Sequence, residues 1–515
     1  MPGLRLLRSE LQPKSNGRTG VVSVAAMDVP AERPGDRAAA RSVPAAAVSP
    51  AVKYISWIAL AMMTTASVAS LRAAPTMAVY GLAAVFLYIL PAIVFLLPTA
   101  LVSAELASGW NGGVYNWVSQ GISPPAGFLA VWCQFAMTIF YYPSLLAYVA
   151  STLAYVINPD LAASGVWTAI VIMVCFWSGV WVSSQGTRSV AGLASGGLII
   201  GTLIPGTLLV ILGVVFLGQG NSSAAPMNAS HLLPAWTGIA SLVLIVNNFL
   251  SYSGMEMNAV HVSSLKDPGK QFPKSMFLAM GMVLLIFILP ALAISWVVPS
   301  DQISLTSGVM QAFDAFLSNF GANWLTPIIG VALVAASLGG MLTWLAGPSK
   351  GLLLVSRQYG YLPPFLQRLN KHGIQQNILV TQGIVTSIIA LMYAFIPDVS
   401  SAYWIFSVIT TQVYLIVYLL MFVAAVRLRK SQPDHPRGFR SPVLMLVCVV
   451  GFIASLLALL IGFVPSSQFG GGSTALYVLI VGGGLVIVGL LIPYLFYRFR
   501  KPSWRTEEPA PTGAE

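Results

Sequence analysis

The sequence contains few charged residues. Only 8% of its 515 residues are Asp, Glu, Lys or Arg, whereas 57% are hydrophobic. Soluble globular proteins carry roughly 25% charged residues. The composition therefore excludes a soluble globular protein and is typical of a chain that folds in a membrane.

Residue types that build catalytic and metal sites are also scarce. The three cysteines lie apart in separate apolar runs, which excludes a disulfide framework and a thiolate metal site. The four histidines are scattered over different segments, and the sequence has no nucleotide-binding loop, zincin motif, nucleophile elbow or redox pair. We therefore expect neither an enzyme nor a bound cofactor or metal.

Long apolar runs dominate what is present. A helix needs about 20 apolar residues to cross a hydrocarbon core of ~30 Å. The runs that qualify predict twelve transmembrane helices, near 54–74, 82–105, 125–157, 164–183, 190–217, 236–262, 274–298, 323–346, 377–396, 401–426, 442–464 and 475–497. Residues 1–50 are rich in Ala, Pro, Arg and Gly and predict a disordered tail, in which either Met1 or Met27 could be the start.

The basic residues predict the orientation of these spans. When both termini are placed in the cytoplasm, all but one of the 26 Lys and Arg residues fall on cytoplasmic segments. This distribution follows the positive-inside rule, so the net charge of +11 reflects topology and attraction to anionic lipid rather than nucleic-acid binding. The exception is Arg72, near the end of the first span.

Two spans contain polar interruptions. The first includes "TTASVASLRAAPT" and the sixth includes "NNFLSYSGMEM". The small or polar residues at these interruptions include Ser67, Ser70, Ser251, Tyr252, Ser253 and Gly254. Helices break at membrane depth only where protein or a water-filled cavity replaces lipid. The interruptions are five spans apart, an odd number, so they predict an inverted-repeat transporter that binds its substrate at the two breaks.

Glu256 lies within the sixth span, ten residues before Lys266. If the intervening segment is helical, that spacing is ~15 Å and puts the carboxylate near the membrane midplane. An intramembrane carboxylate suggests function, with Arg72 as a candidate partner. The alternative is a carboxylate that only holds the helix bundle together.

Tyr414 and Tyr418 in the tenth span are four residues apart and share a helix face. A buried phenol needs a hydrogen-bond partner, so we expect this face to point inward. The spacing alone leaves open whether the two side chains bind a substrate or only pack in the bundle.

Several longer motifs carry a family resemblance. They include "SYSGMEMNAVHVSSLKDPGKQFPKSM", "WLAGPSKGLL" and "VYLIVYLLMF". Over residues 54–497 the chain resembles the amino acid–polyamine–organocation superfamily and, within it, the bacterial glutamate/GABA antiporter family. The resemblance implies an all-α integral membrane protein with a LeuT-like 5+5 inverted repeat plus two C-terminal helices. We expect repeats at 51–235 and 236–430, two helices within 431–497, and a short cytoplasmic tail at 498–515.

The resemblance implies secondary active exchange of amino acids by alternating access in the bacterial inner (plasma) membrane. The expected partners are amino acids or related small molecules and membrane lipid, with protons and a homodimer left open. The alternatives are a proton-coupled uniporter or symporter of amino acids or polyamines on the same fold, or a channel or non-transporting sensor.

The resemblance also implies site residues. Those that match the family's substrate site are Tyr252, Glu256, Tyr414 and Tyr418. Two positions depart from the pattern: Arg72 falls where the characterised exchanger has a tyrosine, and Gly340 falls where it has a further glutamate. Both departures make the expected pocket more positive, so an anionic or differently shaped substrate is plausible.

Overall fold

The computed structural model describes residues 54–506, apart from Asn111, 187–198, Val260, Pro397 and 470–472. The predicted N-terminal tail, Arg188 and the end of the C-terminal tail lie outside the described residues. Every regular element in the described ranges is helical.

The helices, some of which include 3-10 or π turns, are numbered here in chain order. They are α1 Trp57–Val68, α2 Leu71–Ala78, α3 Gly81–Gly109, α4 Gly113–Gly121, α5 Pro124–Ile157, α6 Gly165–Ser184, α7 Ile200–Gly218, α8 Val246–Ser251, α9 Met255–Ala259, α10 Pro268–Val297, α11 Gly308–Asn319, α12 Asn323–Tyr359, α13 Gln376–Phe395, α14 Val399–Ser431, α15 Leu444–Ile461 and α16 Thr474–Phe499.

Ten of these helices, within the ranges just given, are long and apolar enough to cross a membrane. The pair α1 and α2, bent by 44° at its junction, makes an eleventh when counted as one span. The predicted sixth span, 236–262, is not a continuous helix: it contains 3-10 turns, the six-residue α8 and the five-residue α9. The chain is therefore a multi-pass membrane protein.

Burial differs sharply among the spans. Of the residues in the apolar stretch of α5, 83% are buried, and the share in α14 is 78%. The corresponding shares are only 33% in α15 and 22% in α16. Helices α5 and α14 pack against each other at the centre. The outer helices expose large apolar side chains, such as Leu479 and Phe395. Such extensive apolar surface is stable only against lipid or another protein.

Local sequence explains where the long helices begin and end. Asp398 caps α14 by accepting a hydrogen bond from the Ser401 amide at 2.6 Å, and Asp267 accepts one from the Lys270 amide at 3.3 Å at the start of α10. Helix α12 ends at Gly360, whose φ of 72° suits a residue without a Cβ atom.

The first span breaks between α1 and α2. Ala69 and Ser70 are extended, and the Ser70 hydroxyl accepts a hydrogen bond from the Arg72 amide at 3.4 Å. Pro75 follows within α2. In a continuous helix its ring would clash with the carbonyl of Leu71, so proline favours a new helix start here.

The sixth span breaks at a turn over residues 252–254, between α8 and α9. Gly254 has a φ of 106°, a conformation that residues with a Cβ atom rarely adopt. The glycine therefore permits the chain to leave the helical path. Both interruptions predicted from the sequence are real breaks in the structure.

Candidate substrate site at the two helix breaks

A cavity of about 470 Å³ lies where the two breaks meet. Its volume falls within the roughly 300–1,000 Å³ typical of small-molecule sites. Its walls come from the α1–α2 and α8–α9 breaks and from α5, α7, α10, α12 and α14. The predicted site residues that line it are Ser67, Ser70, Arg72, Ser251, Ser253, Gly340 and Tyr414. Sequence positions far apart thus converge on one space.

The serines of the second break donate their hydroxyl hydrogens to the turn before them. Ser251 donates to the Asn247 carbonyl at 2.9 Å, and Ser253 donates to the Phe249 carbonyl at 2.7 Å. Such bonds satisfy carbonyl groups near a helix end and bend the helix. The hydroxyl oxygens keep their lone pairs, so at the cavity these side chains can accept hydrogen bonds.

Glu256 lies behind the cavity wall. It is 2% exposed, and its two carboxyl oxygens accept hydrogen bonds from Tyr414 and, at 2.7 Å, from Tyr418. The Tyr418 hydroxyl also accepts the Gly254 amide hydrogen at 2.9 Å. Among the described residues, Tyr414 alone of this group lines the cavity. The acid is therefore bound to the bundle through two phenols in this conformation.

Arg72 lines the cavity and is 7% exposed. One guanidinium nitrogen, Nη1, donates to the Ser144 hydroxyl at 3.3 Å and to the Tyr403 hydroxyl at 3.4 Å. The guanidinium carbon lies 5.1 Å from the Tyr141 ring centre and 5.8 Å from that of Tyr403. Within the described part of the chain, Arg72 forms no ion pair with Glu256 or any other acid.

The surroundings of Arg72 compensate its charge only in part. A desolvated cation–π contact contributes about 2 kcal/mol. Removing a charge from water costs several kcal/mol even after relaxation, unless an opposite charge is close. Neutral hydroxyls and aromatic faces therefore leave the guanidinium without a full counter-charge.

Tyr252, another predicted site residue, points away from the cavity. Its hydroxyl donates to the Tyr88 carbonyl at 2.9 Å, and its ring centre lies 5.7 Å from that of Phe287. These contacts hold the second break against α3 and α10. In this conformation Tyr252 supports the wall from behind, as do Gly254, Glu256 and Tyr418.

Gly340 faces open space on α12. A Cβ atom added there would meet no heavy atom within 4 Å. A larger side chain would therefore extend into the cavity without displacing the fold. Gly340 thus marks an open part of the site.

Sequence reasoning missed Trp344 on α12. Its ring centre lies 5.7 Å from that of Tyr141 and 6.3 Å from that of Tyr414, and it would be 3.3 Å from a Cβ atom at Gly254. Trp344 thus contacts both the second break and α14. Little in the sequence signalled it, because Trp344 lies near the end of the predicted span 323–346, where tryptophan commonly stands at a membrane interface.

A multi-pass fold with two broken helices around one shared cavity defines the class of membrane transport proteins. The family model for amino acid permeases matches residues 55–486, and the chain belongs to this family. It is a secondary transporter.

The chain is similar to several transporters over most of their length. The chain is 33% identical to an uncharacterized transporter of Legionella pneumophila, over 88% of this chain and 99% of that protein. It is 27% identical to a glutamate/gamma-aminobutyrate antiporter of Lactococcus lactis, over 86% and 90% of the two chains. It is 24% identical to a probable agmatine/putrescine antiporter of the same species, over 72% and 78%.

Proposed function

We propose that this protein exchanges amino acids or closely related small molecules across the bacterial plasma membrane by alternating access. The observation that supports this most directly is that both helix breaks open onto the same cavity. The names of the glutamate/gamma-aminobutyrate antiporter and of the agmatine/putrescine antiporter favour exchange over one-way uptake. A proton-coupled uniporter or symporter on the same fold is the second candidate.

The proposed architecture is a LeuT-like inverted repeat. Residues 51–235 would form the first set of five spans and 236–430 the second, with two more spans within 431–497, which makes twelve. The breaks support this division because each lies in the span that opens its set. The distribution of Lys and Arg supports cytoplasmic N- and C-termini.

The proposed binding mode uses the main chain at the breaks. Amide groups after the first break, around Ser70 to Ala73, would bind the substrate carboxylate at the start of a helix. Carbonyl and hydroxyl oxygens around Ser251 and Ser253 would accept hydrogen bonds from the substrate ammonium group. Tyr414 would close one side of the site, supported by Glu256 and Tyr418.

Counterflow in liposomes tests the proposal. Purified protein is reconstituted with unlabelled amino acid inside, and uptake of labelled amino acid is followed. An exchanger is accelerated by substrate on the opposite side, whereas a channel or a sensor is not. A pH-sensitive dye in the same vesicles reports any proton movement, and cross-linking in the membrane tests whether the protein forms a homodimer.

A pair of glycine variants locates the site. Gly340→Phe would fill open cavity space and should reduce exchange at least tenfold. The matched control is Gly281→Phe, because Gly281 is exposed on a spanning helix and a Cβ atom there meets nothing within 4 Å. Equal exchange by both variants would remove the cavity from the transport path.

A further inference from the structure

We infer that the substrate is a net anion, in the class of acidic amino acids, and that Arg72 determines this specificity. The inference rests on the proposed function, since it concerns the same cavity. It adds a charge class that neither the fold nor the names of the relatives decide, because those names include both anionic and cationic substrates.

The lining of the cavity is positively charged in the part of the chain that the structure describes. Of the described residues that line it, Arg72 is the only one with a formal charge. Glu256 is the nearest acid by sequence to the second break, but it is bonded to Tyr414 and Tyr418 and lies behind the former. The site therefore presents one positive charge to whatever occupies it.

The side chain of Arg72 forms few and long hydrogen bonds within the described residues. Both of its side-chain hydrogen bonds in the described chain come from Nη1, go to neutral hydroxyls and are long, at 3.3 and 3.4 Å. A guanidinium has five N–H donors and pairs best with a carboxylate through two parallel bonds. Arg72 thus retains donors that its protein neighbours do not use.

The net charge of the occupied site depends on the class of the substrate. A zwitterionic amino acid brings no net charge and would leave the buried guanidinium uncompensated. A cationic amine would add repulsion to the desolvation cost. An acidic amino acid brings two carboxylates and one ammonium group, so its net charge of −1 neutralises the site, whichever carboxylate contacts Arg72.

A purely structural role explains less of the geometry. Arg72 does connect the first break to α5 through Ser144 and to α14 through Tyr403. A neutral donor such as glutamine could make the same bonds to hydroxyls without a buried charge. A structural role also predicts equal losses for all substrates when Arg72 is replaced, which an experiment can detect.

The experiment compares isosteric substrate pairs in wild-type protein. L-Glutamate with L-glutamine and L-aspartate with L-asparagine differ in charge at nearly the same size. Each compound is tested in counterflow and as a ligand that raises the melting temperature of the purified protein. We expect the acidic member of at least one pair to be preferred by at least about 30-fold. This factor corresponds to the lower end of the cost of losing one partner of a buried charge pair.

Two variants assign the preference to Arg72. Arg72→Gln should reduce the preference for the acidic compound to about threefold or less. Arg72→Lys, which keeps the charge, should retain this preference while all binding becomes weaker. If Arg72→Gln does not fold, the wild-type comparison and Arg72→Lys still decide. An equal loss for acidic and neutral compounds in Arg72→Gln would assign Arg72 a structural role and overturn the inference.

The other outcomes separate this inference from the proposed function. Exchange of both glutamine and asparagine, each as efficient as that of its acid, would overturn the inference alone, as would neutral exchange that depends on chloride as the counter-ion. Binding of an acid without any exchange would support the inference and overturn the proposed function. Neither binding nor exchange of any of the four compounds would overturn both.

Discussion

Glu256 and Tyr418 are joined by a hydrogen bond of 2.7 Å, and the same tyrosine hydroxyl accepts the Gly254 amide hydrogen at 2.9 Å. One phenol on α14 therefore satisfies both an amide freed by the second break and the acid that follows it. This arrangement couples the broken segment to α14, a mostly buried helix at the centre of the bundle. Any movement of the break must rearrange these bonds, which gives a physical basis for coupling the site to the helix bundle.

Glu256→Gln should leave the protein folded and reduce exchange at least tenfold. The amide keeps the size of the carboxyl group, but it has one acceptor oxygen in place of two for the hydroxyls of Tyr414 and Tyr418. The contacts that hold the second break would then be altered. Counterflow rates and the melting temperature in detergent test the two parts of the prediction.

The matched control is Asp301→Asn, the same chemical change at an exposed position. It should alter neither rate nor melting temperature. Full wild-type exchange by Glu256→Gln would exclude the acid from the transport mechanism.

Gly254→Ala should destabilise the second break. The residue has a φ of 106°, and the added methyl group would stand 3.3 Å from Trp344. Such a backbone conformation costs about 1–3 kcal/mol for a residue with a side chain. We expect a lower melting temperature together with slower exchange.

Gly351→Ala on α12 is the control, since its added Cβ atom meets nothing within 4 Å and its φ is not positive. That change should be neutral or stabilise by roughly 0.5–1 kcal/mol. If both glycines tolerate alanine equally, the left-handed turn is not needed for the break.

Gly340→Glu should weaken the preference for an acidic substrate. Gly340 and Arg72 line the same cavity, and the space beside Gly340 is open. The introduced carboxylate would offset the charge of Arg72, so the preference for glutamate over glutamine should fall roughly tenfold, which corresponds to about 1.4 kcal/mol. Competition by each compound in counterflow measures the change.

Gly340→Gln adds nearly the same volume without charge. It should slow all substrates alike and keep the preference. A loss of preference in the glutamine variant would attribute the effect to shape instead of charge.

Glu105→Gln should destabilise the fold without acting on the cavity. Glu105 at the end of α3 pairs with Arg429 at 2.5 Å and with Arg437 at 2.9 Å, and the Arg437 side chain is fully buried. Removing one partner of a buried ion pair leaves an uncompensated charge and costs roughly 3 kcal/mol. Denaturation of the detergent-solubilised protein should show this loss.

Lys270→Gln removes one partner of an exposed pair, Lys270 with Asp267 at 3.7 Å. Exposed pairs contribute at most about 1 kcal/mol, so this control should change little. Similar effects of the two variants would mean that the Glu105 cluster adds nothing to stability.

Much of the fold follows from local features of the chain. The apolar runs predict the long spans because a ~30 Å hydrocarbon layer admits only helices of about 20 residues. The polar interruptions predicted both breaks, since Pro75 and Gly254 favour departures from helical geometry. The sixth span was predicted as one segment, but the structure divides it into short turns and helices on either side of Gly254.

The site shows the limit of local inference. Sequence reasoning grouped Tyr252 and Glu256 with the cavity residues, yet their side chains bond to Tyr88 and to the two α14 phenols. It also passed over Trp344. The direction of a side chain at a helix break depends on the neighbours that satisfy its polar atoms, and those neighbours are distant in sequence.

The sequence by itself determined the membrane class, the two breaks and the residue types available at them. These depend on hydrophobic length and on backbone preferences, which act within a few residues. Only the tertiary structure decided that Tyr414 and Tyr418 donate hydrogen bonds to Glu256, whereas the charged side chain of Arg72 lines the cavity. The reason is that electrostatic compensation depends on distance in space, and helices far apart in the chain supply the partners.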